Sequence, residues 1–426
     1  MSFLNRDQNA DLAFAVLSDL HMTHRGEGLQ KLSQHLALYS RMTPALDAHV
    51  FAGDIIYQHD LSGGGKSPDF YPEPYTYLSL ALDRYAKEIP LVYAIGNHEY
   101  PQDRTEPELI EKARAFHEEH YTIYTHKIIK GYHFITLGLY ITEEQDKWAQ
   151  HEIRSALRAS GKKPVFVVYH RPIKNTVWGS LETLPYSEAL QKLLLSSRRI
   201  INVCGHLHTA VENPFTLYQR TGGATVIHCP MSGVGYIYAG GDNARLLTPY
   251  QSRSLFFEVK GSTVLVHKVD NLAEKEIGKP WIIEIEGKQY YTEGRKQKAK
   301  KPAFPQGASA KATVAPGGFA IVFDKAVCPE SEAQDDSAVP VYRFDVMKNG
   351  EKVATTSRHA DYCSSCPGER FEDLVPIALE KGVYTVRITP ISFFGKEGRP
   401  ISAKLRVSEP TPAALHNPDA DVFAMI

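Results

Sequence analysis

The chain is 426 residues long and carries 48 Lys+Arg against 49 Asp+Glu, a formal net charge of −1. That length accommodates two or three domains, each large enough to bury a core. The balanced charge argues against the basic surplus of a protein that lives on nucleic acid, and 43% hydrophobic with 23% charged residues is ordinary globular composition, not disorder.

Five cysteines, few and odd in number, argue against a disulfide framework. Met1 to Asn9 is polar and lacks a charged segment followed by an apolar one, and the first apolar run, Leu12–Leu17, is too short for a signal core. No run approaches the roughly 20 apolar residues of a membrane span. The expectation is a soluble, cytoplasmic protein with no membrane contact.

Up to about residue 280, short apolar runs alternate with amphipathic stretches. Strands are expected at Leu12–Leu17, His49–Ala52, Leu91–Ile95, His133–Leu137, Val165–Tyr169 and Ile200–Cys204. Helices are expected near Leu29–Tyr39, Tyr75–Lys87, Glu106–His120, Glu143–Arg158 and Ser187–Leu195. The fourth helix opens with Thr142-Glu143-Glu144-Gln145, a capping box. Alternation of strands with helices predicts an α/β layered sheet.

After Cys204 the runs Ala224–His228, Ser254–Val259 and Val264–Val269 follow without helices between them, which predicts antiparallel completion of a second sheet. Residues 286–301 read as a basic linker. Lys288, Arg295, Lys296, Lys298, Lys300 and Lys301 face a single acid, Glu293, and such blocks are normally solvated; a phosphate-binding patch is the alternative. From 302 to 410 the chain reads as all-β, with alternating Phe319–Phe323, Val341–Val346 and Val383–Ile388 and turn signals such as Lys348-Asn349-Gly350. Residues 411–426 are a tail.

Five strand ends carry chemistry-competent residues. The first, Ser18-Asp19-Leu20-His21, supplies Asp19 and His21; Gly53-Asp54 supplies Asp54; Gly96-Asn97-His98-Glu99 supplies Asn97 and His98. The last two are His170, after Val167-Val168-Tyr169, and Gly205-His206-Leu207-His208, with His206 and His208. Singly these are weak signals, but Gly-Asn-His-Glu is rare, with a chance expectation on the order of a few in a thousand. Each set directly follows a hydrophobic run. Together they offer imidazoles, carboxylates and an amide, which is mixed N/O ligation for two first-row divalent metals with too few thiols for a structural zinc site.

This ordered set resembles the calcineurin-like metallophosphoesterase family, whose pattern is D-x-H, G-D, G-N-H-[D/E], H, G-H-x-H. The resemblance implies a four-layer α/β/β/α metallophosphoesterase sandwich over residues 8–285 and divalent-metal-dependent phosphoester hydrolysis. It assigns Asp19, His21 and His208 to a first metal, Asn97, His170 and His206 to a second, and Asp54 to both. His98 becomes the non-ligand catalytic histidine beside the scissile phosphate. The two divalent metals would be Mn, Fe or Zn, acting through a bridging hydroxide. The sequence Ile55-Ile56-Tyr57-Gln58-His59 after Asp54 lacks that family's protein-phosphatase pattern. The compact motif spacing resembles the branch that contains cyclic-nucleotide phosphodiesterases, which implies a phosphodiesterase acting on a small phosphodiester or cyclic nucleotide first, a phosphomonoesterase second and a nuclease third; a metal-binding scaffold is the non-enzymatic alternative. The later strands of 302–410 resemble a fibronectin type III domain, with Tyr342 on its middle strand and Phe323 in place of the usual tryptophan. This implies a small immunoglobulin-like sandwich that makes protein or glycan contacts.

Other residues stay open. Glu99 and Ser18 are read either as groups that orient ligand imidazoles or as ordinary loop residues. His24, His59, Asp60 and Arg171 adjoin the motifs without further support. His228 lies in an apolar run and reads as a core histidine, and Ser62-Gly63-Gly64-Gly65 reads as a loop without the context of a P-loop. Cys363 and Cys366, with His359 nearby, are half of a zinc site at most and read as a surface loop.

Overall fold

The computed structural model describes residues 5–22, 27–56, 72–99, 124–139, 141–180, 186–232, 236–237, 245–246, 252–329, 338–360, 362 and 369–411. The chain divides into two compact units, one made of Met1–Val211, Phe215–Tyr236 and Leu246–Glu293, the other of Glu212–Pro214, Ile237–Arg245 and Gly294–Ile426.

The first unit is a mixed α/β structure built on two sheets. Its chain order is β1 (Leu12–Leu17), α1 (Glu27–Ser40), β2 (Ala48–Ala52), α2 (Pro72–Tyr85), β3 (Leu91–Ala94), β4 (Thr125–Ile129) and β5 (Tyr132–Thr136). There follow α3 (Glu143–Ala159), β6 (Val165–Val168), α4 (Glu188–Leu194), β7 (Ile200–Cys204), β8 (Leu217–Gln219) and β9 (Thr225–His228). The two-residue strands β10 (Tyr236–Ile237) and β11 (Arg245–Leu246) fall at the unit boundaries, and the first unit continues with β12 (Arg253–Lys260), β13 (Thr263–Asp270), β14 (Lys275–Glu276) and β15 (Trp281–Glu284). One sheet runs β14-β13-β12-β1-β2-β3, with β15 also on β13; the other runs β4-β5-β6-β7-β9-β8.

Strands β1, β2 and β3 are parallel, and so are β5, β6, β7 and β9. Their near-continuous apolar sequences follow from burial on both faces, and every residue of β1 is buried. Phe14 of β1 meets Phe134 of β5 at 5.2 Å and Phe166 of β6 at 4.9 Å, ring edge to ring face, so these two sheet faces pack together. On the opposite face of the first sheet, Leu32 and Leu36 of α1 and Leu78 of α2 pack with Leu17, Phe51 and Tyr93. On the opposite face of the second, Ala149 and Ile153 of α3 and Leu190 of α4 pack with Ile135, Val167 and Ile200. Burying one such Phe or Leu side chain contributes about 1.5–3 kcal/mol. The capping box of α3 forms: Thr142 accepts from the Gln145 N–H, and the Gln145 side chain accepts from the Thr142 N–H.

Two sequence expectations need correction. The strands after Cys204 do not together complete a second sheet in antiparallel fashion. Strand β9 joins the second sheet parallel to β7, while β12 and β13 extend the first sheet antiparallel to β1. Apolar runs report burial, and burial is the same in either sheet. Strand β4 was not anticipated because Thr-His-Lys-Ile-Ile is only partly buried and carries no clean alternation. The expected helix Glu106–His120 and the Ser62–Gly65 loop lie outside the described residues. Within the basic run, Tyr291 is buried and its N–H bonds Gln219 Oε1 at 3.0 Å, whereas Lys288, Lys296 and Lys298 are exposed.

The second unit is all-β apart from the short α5 (Arg295–Lys298). Strands β16 (Ala310–Ala315), β17 (Gly318–Asp324) and β20 (Arg370–Val375) form one antiparallel sheet. Strands β18 (Val341–Lys348), β19 (Glu351–His359), β21 (Gly382–Ile391) and β22 (Ile401–Val407) form another, in the order β19-β18-β21-β22. Their inward residues share one core, in which Phe323 of β17 meets Tyr342 of β18 edge-on at 4.8 Å and stacks on Phe371 of β20. The Tyr342 hydroxyl accepts the Ala326 N–H at 2.9 Å, satisfying the polar end of a buried ring. Among the described residues no helix is long and apolar enough to cross a membrane.

Candidate metal centre

Parallel strands bring their carboxyl ends to one edge, where α/β proteins bind ligands. Asp19 and His21 follow β1, Asp54 follows β2, and Asn97 and His98 follow β3; from the facing sheet, His170 follows β6 and His206 and His208 follow β7. The backbone turns sharply after β1, β2 and β7. Asp19 (φ 52°), His21 (52°), Asp54 (51°), His206 (79°) and His208 (49°) all sit in the left-handed region, which costs a non-glycine residue about 1–3 kcal/mol. Cross-loop hydrogen bonds hold the turns: Asp19 N–H to Gly53 O and His21 N–H to Asp54 O, both 3.0 Å, and Met22 N–H to Ile55 O at 2.8 Å.

Six of the seven expected ligands, Asp19, His21, Asp54, His170, His206 and His208, converge with His98 in overlapping groups, while Asn97 belongs to none of these groups. Asp19, His21 and His208 offer ligand atoms within 4.8 Å of one another, as do Asp54, His170 and His206, and also His21, Asp54 and His98. In the first group His208 Nε2 lies 3.3 Å from Asp19 Oδ1 and 3.0 Å from His21 Nε2. In the second His170 Nε2 lies 2.9 Å from Asp54 Oδ2, and the His170 and His206 rings are 5.1 Å apart. Asp54 Oδ2 is also 3.8 Å from His21 Nε2 and 3.9 Å from His98 Nε2, so this oxygen stands between the groups.

The surroundings fit a pair of cations. His170 Nδ1 lies 2.8 Å from the Ala52 carbonyl, which can only accept, so one proton is on Nδ1 and Nε2 is the nitrogen turned to Asp54, where a second proton or a cation would bind. Burial lowers the affinity of His170 for a second proton, but Asp54 and Asp19 outweigh it and lift its pKa to about 9. Burial likewise pushes both carboxyls up, and the imidazoles, led by His208 for Asp19 and His170 for Asp54, more than reverse this and hold both well below their ordinary value. Burial and then His170 lower His206 to about 3, with Arg171 adding to the effect. Asn97 Oδ1 is buried without a hydrogen-bond partner among the described residues, an expensive state for an amide oxygen that a cation would relieve.

A surrounding layer fixes these groups. Ser18 Oγ donates to Asp19 Oδ2 at 2.7 Å, the His206 N–H reaches both Asp19 oxygens at 3.0 Å, and Asp54 Oδ1 accepts the His98 N–H at 2.8 Å. Glu99, 1% exposed, accepts the N–H groups of Gly96, Asp54, Ile55 and Ile56 and the Tyr93 hydroxyl. Burial and the charge of Asp54 push its carboxyl up to about 7 against the pull of those donors. Ser18 and Glu99 are therefore bound to the site and are not ordinary loop residues. The glycines are required by proximity. A Cβ on Gly205 would stand 2.0 Å from Ser18 Oγ, and one on Gly96 would stand 2.1 Å from Asp54 Oδ1.

His228 is fully buried, as its reading as a core histidine expects, but its contact with the site was not legible in the sequence. It ends β9 beside the His206–His208 turn, and its Nε2 accepts the Leu207 N–H at 3.2 Å. Only the pairing of β9 with β7 could have revealed it. His24, His59, Asp60, Cys363 and Cys366 lie outside the described residues.

Residues 12–210 match the family model described as Calcineurin-like phosphoesterase, and the match spans every candidate ligand. That stretch is accordingly a metallophosphoesterase-family domain with candidate metal-binding residues. No curated protein matches the chain significantly. Among solved structures, a dimetal phosphatase from Danio rerio overlays with a TM-score of 0.48 at 12% identity, covering 65% of this chain and 100% of that one. PhoD overlays with 0.41 at 12% identity, covering 60% of this chain and 65% of that one. Vps29 from Entamoeba histolytica, complexed with Zn²⁺, overlays with 0.30 at 11% identity, covering 65% and 100%. Overlays this loose carry nothing about activity.

Proposed function

We propose that this chain is a divalent-metal-dependent phosphodiesterase acting on a small phosphodiester or cyclic nucleotide through a dinuclear centre. The observation that carries the reading is the arrangement around Asp54. One buried carboxylate oxygen stands 2.9 Å from His170 Nε2 and 3.8 Å from His21 Nε2, joining two ligand groups. Asp19, His21 and His208 would hold one cation, Asn97, His170 and His206 the other, and Asp54 both, with Mn, Fe or Zn suiting the N/O donors. Such a pair supplies neutralisation of the phosphate oxygens and a lowered pKa for an attacking water.

The remaining chemistry belongs to the chain. His98 is tied by its backbone N–H to Asp54 Oδ1, and its side chain is 24% exposed, more than those of His21 (15%), His208 (14%) and His170 (0%). It faces substrate, and there it donates a proton to the leaving oxygen or stabilises charge on the phosphoryl group. Ser18 and Glu99 hold their neighbours still and exclude alternative loop geometries. The missing protein-phosphatase pattern after Asp54 favours a small substrate over a phosphoprotein.

The second unit, with three and four antiparallel strands around Phe323 and Tyr342, supports the fibronectin type III-like reading and a role in protein or glycan contact. A cytoplasmic location is part of the same proposal.

The test is metal analysis of chelator-free protein followed by hydrolysis of bis(p-nitrophenyl) phosphate against the monoester with Mn²⁺ added. About two ions per chain and preference for the diester are expected. Monoester preference would overturn the diesterase assignment in favour of a phosphomonoesterase, and a chain that turns over neither substrate, with or without bound metal, would be a scaffold.

A further inference from the structure

We infer that His228 is a positioning residue for the metal centre, one that holds the His206–Leu207–His208 turn in its ligand-presenting shape without itself being a ligand. The inference rests on the reading of His206 and His208 as metal ligands. His228 is wholly buried at the end of β9, in register with Cys204 at the end of β7. The adjacent Cys229 N–H donates to Cys204 O at 2.7 Å, so the two strand ends are locked together where the ligand turn begins.

Beyond Cys204 the chain leaves the ladder, and the N–H groups of the turn need other acceptors. The His206 N–H goes to the Asp19 carboxylate, and the Leu207 N–H goes to His228 Nε2 at 3.2 Å. Two successive amides are thereby tied to side chains from two different strands. They bracket a segment in which His206 (φ 79°) and His208 (φ 49°) both hold left-handed backbone that a non-glycine residue leaves readily. Without the second tie, the Leu207 N–H would be buried with no acceptor, and the turn would relax toward a conformation that aims His206 and His208 elsewhere. His228 belongs to none of the groups whose ligand atoms converge. Its side chain acts through the backbone of Leu207.

The experiment uses the full chain, stripped of metal, with Mn²⁺ as the probe in calorimetric titration. Replacing the acceptor by an apolar chain of similar size, His228→Met, is expected to raise the dissociation constant about 10–100-fold, while His228→Gln, whose amide oxygen reaches the place of Nε2, stays within about threefold of the unaltered chain. Amide exchange in metal-free protein should show the segment containing Leu207 protected in the unaltered chain and in His228→Gln, and opened in His228→Met. If His228→Met does not fold, His228→Asn, whose amide falls short of the Leu207 N–H, takes its place with the same expectation. A folded variant lacking the acceptor that binds Mn²⁺ as the unaltered chain does, or a His228→Gln as weak as His228→Met, overturns the inference alone. An unaltered chain that binds no Mn²⁺ overturns the metal reading and this inference with it.

Discussion

Glu99 accepts the backbone N–H of Ile55 at 2.8 Å from a position 44 residues further along the chain. With the Gly96, Asp54 and Ile56 amides and the Tyr93 hydroxyl on the same carboxylate, the loop after β3 is stitched to the loop after β2. Asp54 and Asn97, expected ligands after different strands, are held in one frame by a residue that belongs to none of the groups of converging ligand atoms.

Glu99→Gln puts an amide NH₂ where only donors converge, so at least one buried N–H loses its acceptor. Unfolding by urea in the presence of a chelator is expected to show a loss of about 2–4 kcal/mol. An unchanged midpoint would mean that these hydrogen bonds contribute nothing to stability.

Asn97 and His98 are adjacent but expected to fail differently. His98→Ala should lower kcat on the preferred phosphoester about 10²–10⁴-fold with metal content unchanged. Asn97→Ala should lower the metal stoichiometry itself. Turnover by His98→Ala equal to that of the unaltered chain would remove His98 from the catalytic machinery, and the comparison is read by kinetics alongside elemental analysis.

Gly205→Ala would place a methyl group 2.0 Å from Ser18 Oγ and 2.5 Å from Asp19 Oδ2. The backbone or Asp19 must shift, at a cost of about 1–3 kcal/mol in stability. Metal content should fall with it, because Asp19 also receives the His206 N–H. Thermal unfolding and metal analysis of one preparation test both parts.

The buried pair His35 and His49, with rings 5.7 Å apart beneath α1, predicts an acid-labile fold. Burial lowers His49 to about 4, and burial together with His49 lowers His35 well below its ordinary value. Both remain neutral in the folded chain while the unfolded chain takes up protons near pH 6.5. Their stabilising contribution is thus complete above about pH 6.5 and is lost as pH falls toward 4, at up to about 1.4 kcal/mol per pH unit for each histidine. Melting temperature against pH should fall less steeply for His49→Phe than for the unaltered chain; parallel curves would refute the assignment.

Much of the site was legible in the sequence because each ligand set is a local event. An apolar run sets a strand, and the donors follow within a few residues, so Asp19, Asp54, Asn97 and His170 announce themselves at strand ends. The capping box of α3 was legible for the same reason, since Thr142 and Gln145 are three residues apart. Sheet membership was not, and β12 and β13 joined the sheet of β1 although their apolar pattern would serve either sheet. Nor were the acceptors: Glu99 and His228 look like any polar residue near an apolar run until the fold brings Ile55 and Leu207 to them. Periodicity records which residues lose water, and that is a property of a short window. Which buried N–H meets which buried acceptor is decided by chain crossing between strands far apart in sequence, and only the tertiary structure carries it.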